Sequence, residues 1–403
     1  ELGQGESASL MLECIGSGIK LTDAPSGLYM VIDDREPEII EDFKIGPFPP
    51  DELMKRSDQD RVPIPTTELI YQQNQQLSLI PMSENPQIIP TPRSVSTGEG
   101  VFDPGEKLSI GYQPGLGNEA NYLMEKLKQL GHQIELTNDL NAAEIRLNIG
   151  ELGQHESEHY RLRIEPDQIS IEGSDPSGVF YGTQSLLSLW PIPGIEPKIL
   201  PSQTISDSPR FGYRGLHLDV ARNFIEVEAV KKVLDIMSFY KLNQLHFHLT
   251  DDEGWRLEIE DIPELTEIGA VRGHSDDEKD FLFPAYGSGP FPNAANNHGT
   301  GHYSREEFIE LIQYAAERHI EVIPEINFPG HARAAIKSMR IRGQRIQEEG
   351  NKEPNYQLHD PEDQSEYSSV QGYTDNVICP CQESVYQFIE TVVGEIVDMY
   401  QQA

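Results

Sequence analysis

The sequence is poor in positive charge and in long apolar runs. Its 403 residues hold 31 Lys and Arg against 67 Asp and Glu, which gives a formal net charge of −36. Nucleic acids and anionic membranes bind cationic faces, so this balance argues against both as partners. A neutral substrate such as a sugar is compatible with it, and so is a saline habitat. No apolar run reaches the roughly 18 residues of a transmembrane helix, so we expect no membrane span.

Cysteine is also scarce, which excludes a disulfide framework. The cysteines are Cys14, Cys379 and Cys381. The last two are separated only by Pro380, too short a spacing for an easy bridge, and we interpret them as free or loosely paired thiols. The chain begins with Glu1 rather than Met, so we expect that residue 1 is not the natural start. The lack of a signal peptide therefore says nothing about export.

The sequence divides into three parts. Residues 1–85 contain short apolar runs among Pro, Asp and Glu, and they predict the remnant of a β-rich N-terminal domain followed by a linker. Residues 86–206 combine alternating apolar and polar positions with two helical segments, and they predict a small α+β support domain. Residues 207–403 repeat a strand-then-helix pattern, which predicts a catalytic domain.

The repeated pattern predicts the first three β/α units of a TIM barrel. Strands are predicted at 214–219, 243–249 and 320–326, and apolar residues recur at helical spacing after each of them. Three such units in a row imply a parallel sheet. A closed (β/α)8 barrel needs eight units, so we expect this chain to hold only the N-terminal part of the barrel. Its strands should then leave unpaired edges and fold poorly alone.

Polar side chains gather where each predicted strand ends. They are Asp219 and Arg222 after the first strand, Asp251, Asp252, Glu253 and Trp255 after the second, and Glu325 and His331 after the third. Active sites of β/α barrels lie at the carboxyl ends of the strands, and two long connections, 250–303 and 328–383, begin there. Carboxylates, an arginine that binds hydroxyls bidentately and a histidine that tunes an acid are suited to sugar hydrolysis.

Each of these residues also has a structural interpretation. Asp219 can cap a strand end, Trp255 can belong to the core, and the carboxylates after the second strand can form a solvated turn. Glu325 is harder to explain in this way, because a carboxylate at an apolar strand end needs a partner or a function.

The pair His246 and His248 leaves a metal-dependent hydrolase open as a rival. The two histidines are spaced i, i+2 on a predicted strand and therefore face the same side of the sheet. A metal site of this kind needs further His, Asp or modified Lys ligands on later strands. We favour two packed histidines, and we interpret His217 in the same way.

Four segments carry a resemblance to a known family. They are YRGLHLDVARNF at 213–224, YKLNQLHFHLTDDEGWR at 240–256, PELTEIG at 263–269 and IEVIPEINFPGHARAA at 320–335. With these segments, residues 209–403 resemble the catalytic domain of family 20 glycoside hydrolases, and most closely β-N-acetylhexosaminidases of the bacterial chitobiase type. Residues 86–206 resemble the α+β domain that precedes the barrel in this family. Residues 1–85 resemble its N-terminal β-domain only loosely.

The resemblance implies an exo-acting β-N-acetylhexosaminidase that removes terminal GlcNAc or GalNAc from chitooligosaccharides, as in chitin degradation, or from glycoconjugates. In this family the acetamido oxygen of the substrate attacks the anomeric carbon, giving an oxazolinium intermediate and retention of configuration. A Glu protonates the leaving oxygen, and the Asp before it orients the acetamido group. The resemblance implies no cofactor, no metal, and a periplasmic or extracellular location. The alternative is a catalytically inactive sugar-binding homologue.

Family members carry the Asp-Glu pair in a Gly-Gly-Asp-Glu motif on the fourth barrel strand. The last predicted helix runs to Ala403, so we expect the pair to lie beyond it and this chain to be inactive alone. The resemblance assigns Arg222 to O3 and O4 of the sugar, and Asp251 and His331 to a hydrogen-bonded chain that supports the catalytic Glu. Asn327 departs from the family pattern, where Asp is usual. We also place three residues in the sugar-binding set: Asp252, Trp255 and Glu325.

Overall fold

The computed structural model of the chain describes residues 87–403 except 153–156, 195–197 and 351–353. Before residue 87 it describes 26–32, 35–41, 43, 59, 61, 63 and 66–79. The chain divides into two units, Glu1–Glu84 and Asn85–Ala403. Cys14 lies outside the described residues, whereas Cys379 and Cys381 are free, in agreement with the sequence.

The described part of the first unit contains two short strands and a helix. Strands β1 (Tyr29–Met30) and β2 (Glu38–Ile39) pair antiparallel. Helix α1 (Thr67–Gln75) begins after Thr66, whose side chain accepts a hydrogen bond from the backbone N–H of Leu69 at 3.2 Å. The prediction of a β-rich remnant missed this helix, because α1 buries none of its side chains and so lacks an apolar face.

The second unit begins with a seven-stranded mixed sheet. Its strands are β3 (Ser94–Phe102), β4 (Lys107–Tyr112), β5 (Gln133–Thr137), β6 (Ile145–Ile149), β7 (Tyr160–Glu165), β8 (Gln168–Gly173) and β9 (Leu200–Asp207). They lie in the order β3-β9-β7-β8-β6-β4-β5. Two helices, α2 (Gly117–Gln129) and α3 (Pro176–Leu189), pack on the face that buries alternate residues such as Leu162 and Ile171. This is an α+β arrangement, as the sequence predicts.

Three parallel strands follow in the same unit. They are β10 (Gly215–Asp219), β11 (Gln244–His248) and β14 (Glu321–Glu325), and they lie side by side in chain order. The register places Asp219 beside His248 and His248 beside Glu325. The carboxyl ends of the strands therefore meet at one edge, as a β/α sheet requires, while the closed barrel stays a prediction.

Helices cover one face of this parallel sheet. They are α4 (Val227–Phe239), α6 (Arg305–Ala316) and α8 (Glu383–Gln402). The loop after β11 contains the short elements β12 (Thr250–Asp251), β13 (Gly254–Trp255) and α5 (Glu264–Glu267), and helix α7 (Arg333–Glu349) packs against these three. Helix α6 begins with a capping box. Ser304 Oγ accepts from the N–H of Glu307 at 3.1 Å, and the Glu307 carboxylate accepts from the N–H of Ser304 at 2.9 Å. None of the helices that the structure describes is long and apolar enough to cross a membrane.

Helix α7 lies within the long connection 328–383, where no helix was predicted from the sequence. Its buried residues include Arg333 and Arg342 beside Ala335 and Ile336. Charged residues on the buried face interrupt the apolar periodicity by which a helix is recognised in a sequence.

Alternation along β11 separates the core from the candidate site. Leu245 and Phe247 are each 1% exposed and belong to the apolar core that the helices share. Gln244, His246 and His248 alternate with them and therefore face the other side of the sheet. The polar groups of neighbouring strands are brought together on that side.

Candidate active site

A cluster of charged side chains occupies the carboxyl ends of β10, β11 and β14. Directly after β11 the chain turns in the hairpin β12–β13, which carries Asp251, Asp252 and Glu253. These residues are 2%, 0% and 4% exposed. Adjacent buried carboxylates need hydrogen bonds or cations nearby, and the structure supplies both.

Asp251 lies at the centre of this cluster. Its Oδ1 lies 3.0 Å from His331 Nδ1, and its Oδ2 lies 2.8 Å from both His248 Nε2 and Arg222 Nη2. Burial raises the pKa of the Asp251 carboxyl. The hydrogen bonds from His248 and from the backbone of Asp252, with the charges of Arg222 and His331, nevertheless bring this pKa below its ordinary value. Asp251 is therefore an anion at neutral pH.

The contact between Asp251 and His331, which the resemblance implies, is present. His331 has a left-handed backbone with φ of 55°, and its Nδ1 also lies 3.4 Å from Asp252 Oδ2. Because carboxylates accept, Nδ1 carries the proton, and Nε2 is the ring nitrogen that can accept one. Asn327 donates from Nδ2 to Asp251 Oδ2 at 3.0 Å, whereas an ionised Asp at this position would repel Asp251.

Arg222 is bound by three carboxylates. Its Nη1 lies 2.7 Å from Asp219, its Nη2 2.8 Å from Asp251 and its Nε 3.2 Å from Glu253. Burial lowers the pKa of Arg222, but the hydrogen bond to Asp219 and the three negative charges raise it above its ordinary value. Asp219 Oδ1 also accepts from the N–H groups of Ala221 and Arg222 at 3.0 and 3.1 Å, so Asp219 caps the strand end as well as orienting the guanidinium.

Glu325 ends β14 beside three histidines. Its Oε2 lies 2.6 Å from His246 Nε2, 3.0 Å from His248 Nδ1 and 3.7 Å from His217 Nε2. His248 is thus placed between Glu325 and Asp251. Burial lowers the pKa of His248, but the hydrogen bonds to these two carboxylates raise it above its ordinary value. Glu325 is therefore engaged by histidines, and its predicted contact with sugar stays a prediction.

Two groups in the described part of the chain are close enough together to hold a cation. They are His217, His246 and Glu325, and Asp251, Asp252 and His331. Each group contains a close contact between a histidine nitrogen and a carboxylate oxygen, at 2.6 Å for His246 with Glu325 and at 3.0 Å for His331 with Asp251. The lack of a metal requirement stays a prediction.

Asp252 and Trp255, two of the residues expected to contact sugar, are 0% and 1% exposed. The Asp252 carboxylate accepts from Asn376 Nδ2 at 2.8 Å and from the N–H of Arg333 at 3.2 Å, so it ties the loop after β14 to the hairpin. Trp255 Nε1 donates to the carbonyl of Leu257 at 2.6 Å. Both side chains are therefore held by protein groups, and their contact with sugar stays a prediction.

A second charged cluster, which sequence reasoning missed, joins the two long loops. Arg333 binds Glu278 with both Nη atoms, Nη1 to Oε1 at 2.7 Å, and binds Asp375 through Nε at 2.8 Å. Lys337 contacts Glu278 at 3.1 Å and Asp375 at 2.8 Å. The four residues come from two loops and α7, so no local motif could have revealed them.

The fold and the site define a class: β/α domains that carry acid–base groups at the carboxyl ends of parallel strands. Comparison with known families agrees with this class. Residues 85–208 match the model of glycosyl hydrolase family 20, domain 2, and residues 211–403 match that of the catalytic domain of the same family. The chain belongs to glycosyl hydrolase family 20.

Similar proteins are longer than this chain. The N,N'-diacetylchitobiase of Vibrio harveyi is 38% identical over 354 residues, covering 87% of this chain and 39% of that protein. A beta-hexosaminidase of Vibrio vulnificus is 37% identical over 346 residues, covering 85% of this chain and 40% of that protein. The chain thus spans less than half the length of these curated relatives.

A solved structure shows the same fold. It is the crystal structure of the family 20 exo β-N-acetylglucosaminidase from Vibrio harveyi in complex with N-acetylglucosamine. The TM-score is 0.65 at 34% identity, and the alignment covers 78% of this chain and 45% of that chain.

Proposed function

We propose that this chain belongs to an exo-acting β-N-acetylhexosaminidase, to which it contributes sugar binding and support of the catalytic acid. The observation that carries the proposal is the buried carboxylate of Asp251, in contact with His331 and Arg222 at the strand ends of a family 20 chain. The names of the relatives and the N-acetylglucosamine bound by one of them support a terminal GlcNAc or GalNAc as substrate. On the resemblance alone, we place the protein in the periplasm or outside the cell.

Arg222 holds the terminal sugar in this proposal. Three carboxylates orient its guanidinium, whose side chain remains 22% exposed. Two neighbouring hydroxyls, O3 and O4, can accept from one guanidinium, and the surrounding carboxylates can accept from the same hydroxyls. Charge-assisted hydrogen bonds of this kind distinguish a correctly oriented sugar from a displaced one.

Asp251 and His331 act on the catalytic acid. Asp251 holds the Nδ1 proton of His331, so that Nε2 can pair with the Glu that protonates the leaving oxygen. The acetamido oxygen of the substrate forms the new bond to the anomeric carbon while the glycosidic bond breaks, and water then opens the oxazolinium ion with retention. The Gly-Gly-Asp-Glu motif for the acid and its neighbouring Asp does not occur in these 403 residues.

The proposal is tested with an aryl N-acetyl-β-glucosaminide and two proteins, the complete natural protein and residues 1–403 alone. We expect hydrolysis with retention by the complete protein. Residues 1–403 should turn over at least about 10²-fold more slowly, because general acid catalysis alone contributes roughly 10²–10⁴-fold.

Three other outcomes have distinct meanings. A complete protein that neither hydrolyses the substrate nor binds N-acetylglucosamine contradicts the proposal. Binding without hydrolysis identifies the inactive sugar-binding homologue. Comparable turnover by residues 1–403 places the acid within this chain, and Glu325 is then the first residue to substitute.

A further inference from the structure

Two arginines beside the cluster are buried without a carboxylate contact in the described part of the chain. Arg256 and Arg272 are both 0% exposed. A guanidinium has five N–H donors, and those of Arg256 all meet backbone carbonyl oxygens. They are those of Val220 at 3.1 Å from Nε, Ala270 at 3.1 Å and Gly301 at 2.9 Å from Nη1, and Ala221 at 2.8 Å and Gly299 at 2.9 Å from Nη2.

Arg272 binds carbonyls of the same two segments. Its Nε donates to Gly299 at 3.1 Å and its Nη1 to Ala285 at 2.9 Å. Its Nη2 donates to Ala221 at 3.4 Å and also to the carbonyl of Arg222. The two side chains thus share Ala221 and Gly299 as acceptors.

The acceptors identify what the pair holds. Three of them are consecutive, at 220, 221 and 222, and form the turn after β10 from which the Arg222 side chain projects. The others lie between 270 and 301, in the long loop after β11. Two guanidinium groups therefore connect the turn that bears Arg222 to this loop.

Glycines make room for this arrangement. A Cβ on Gly254 would lie 2.5 Å from Arg256 Nη2 and 2.6 Å from the carbonyl oxygen of Ala221. A Cβ on Gly299 would lie 2.8 Å from Arg272 Nε. The guanidinium groups occupy space that side chains at these positions would need.

Simple packing does not account for two buried cations. Apolar residues of similar volume fill a core without the cost of desolvating a charge. Burial lowers the pKa of Arg256 to about 9 and that of Arg272 to about 10, so both remain charged at neutral pH. What the pair supplies, and an apolar pair cannot, is a directional contact to each carbonyl of the turn.

We infer that Arg256 and Arg272 are positioning residues, which hold the backbone of residues 220–222 so that Arg222 meets the sugar in one orientation. The inference rests on the proposed role of Arg222. Lysine keeps the charge but has three donors on one nitrogen, so it cannot reach carbonyls on both segments in this geometry.

The kinetic test uses Arg256→Lys and Arg272→Lys in the complete protein, with Arg342→Lys as the matched control. Arg342 is 3% exposed but binds Glu264 at 2.7 Å, in a different part of the unit. We expect each of the first two changes to raise KM for an aryl N-acetyl-β-glucosaminide at least about 10-fold, with a smaller effect on kcat. Arg342→Lys should lower the Tm and leave KM unchanged.

A double variant separates positioning from general damage. In the Arg222→Ala background, Arg256→Lys should change KM less than 2-fold, because the group that it positions is gone. An unchanged KM in folded Arg256→Lys would overturn the inference. So would a double variant in which the effects of Arg222→Ala and Arg256→Lys on KM multiply. If Arg256→Lys does not fold, Arg272→Lys and Gly254→Ala apply the same test, since Gly254→Ala displaces Arg256 while retaining it.

Hydrogen exchange provides a readout that needs no sugar. The amides of residues 220–224 should exchange faster in Arg256→Lys than in the wild type, and should be unchanged in Arg342→Lys. If the wild-type protein binds no sugar, the proposed function is contradicted, but the exchange rates of the wild type and the variants can still be compared. Unchanged exchange in both Arg256→Lys and Arg272→Lys contradicts the inference itself.

Discussion

The α+β region and the β/α region of the second unit bury different kinds of side chain. In residues 87–208, the one buried charged side chain that the structure describes is Glu119, which contacts His319 of the β/α region at 2.7 Å. In residues 209–403 the buried charged side chains are Lys241, His248, Asp251, Asp252, Glu253, Arg256, Glu264, Arg272, Glu278, Arg318, Arg333 and Arg342.

The difference shows where the molecule uses its polar groups. Burial of an ion costs several kcal/mol unless partners compensate for the lost water, so a region built for support alone has little reason to bury one. Most of the buried charges of the β/α region lie in the loop after β11 and in helix α7. These are the segments at or beyond the carboxyl ends of its strands, where a β/α domain carries its chemistry.

The largest effect on activity is expected from Asp251→Asn in the complete protein. The change keeps the shape but removes the charge that contacts His331, His248 and Arg222. We expect kcat to fall about 10²-fold or more, with a smaller change in KM. Loss of a negative charge lowers the pKa of a nearby acid, so the basic limb of the pH–rate profile should move to lower pH.

The partner of Asp251 provides the control. His331→Ala should lower kcat by a similar factor, and the double variant should be scarcely worse than either single one, because both break the same contact. Effects that multiply, with an unshifted pH profile, would contradict the pairing.

The pKa of Asp251 also predicts how stability depends on pH. Its folded value lies below the ordinary value, so the ionised group stabilises the fold above the unfolded pKa of about 4. That contribution is lost as the pH falls through the folded pKa. The Tm of the wild type should therefore exceed that of Asp251→Asn at pH 7, and the gap should close on acidification. A gap that widens below pH 4 would contradict the direction of the shift.

The next largest effect is expected from Arg222→Ala. It removes charge-assisted hydrogen bonds to the sugar, worth about 1.5–3 kcal/mol each, so kcat/KM should fall roughly 10²-fold, mainly through KM. Kinetics on an aryl N-acetyl-β-glucosaminide measure this directly. Unchanged kinetics would show that Arg222 serves only Asp219, Asp251 and Glu253, and would weaken the contrast between the two regions.

A substitution in the α+β region should separate stability from activity. Leu123 on α2 is 0% exposed, and Leu123→Ala should cost about 2–5 kcal/mol of unfolding free energy. KM and kcat measured below the Tm should stay within about 2-fold of the wild-type values, because Leu123 belongs to the apolar core of the α+β region, and no described residue of that core is part of the candidate site. A large rise in KM in a folded variant would show that this region shapes the sugar site and would break the comparison.

The secondary structure of the two regions was not equally predictable from the sequence. Alternation and helical periodicity predicted an α+β arrangement for the first region and three parallel β/α units for the second, because an apolar face must be buried. Helix α7 was missed, since Arg333 and Arg342 lie on its buried face. Periodicity predicts best where burial and apolarity coincide.

Within the site, the family resemblance implied the Asp251–His331 contact but did not indicate which way the neighbouring side chains point. Asp252 and Trp255 belong to the same motif as Asp251, yet a two-residue hairpin turn sends their side chains into the interior. Contacts between distant segments, such as Arg333 with Glu278, depend on how the long loops fold back. The spacing of residues within a motif therefore cannot predict such contacts.

The smallest effect is expected from chelation of divalent metal. His246 and His248 share a strand with the spacing of a metal motif, but Glu325 Oε2 lies 2.6 Å from His246 Nε2 and 3.0 Å from His248 Nδ1. The other nitrogen of His248 lies 2.8 Å from Asp251. Both ring nitrogens of His248 therefore lie against carboxylate oxygens, an arrangement typical of an ion pair rather than of a metal ligand. Activity of the complete protein should therefore be unchanged after dialysis against a chelator. Activity that disappears and returns with a divalent ion would overturn this account, and would move the function of the β/α region from acid–base pairs to a metal centre.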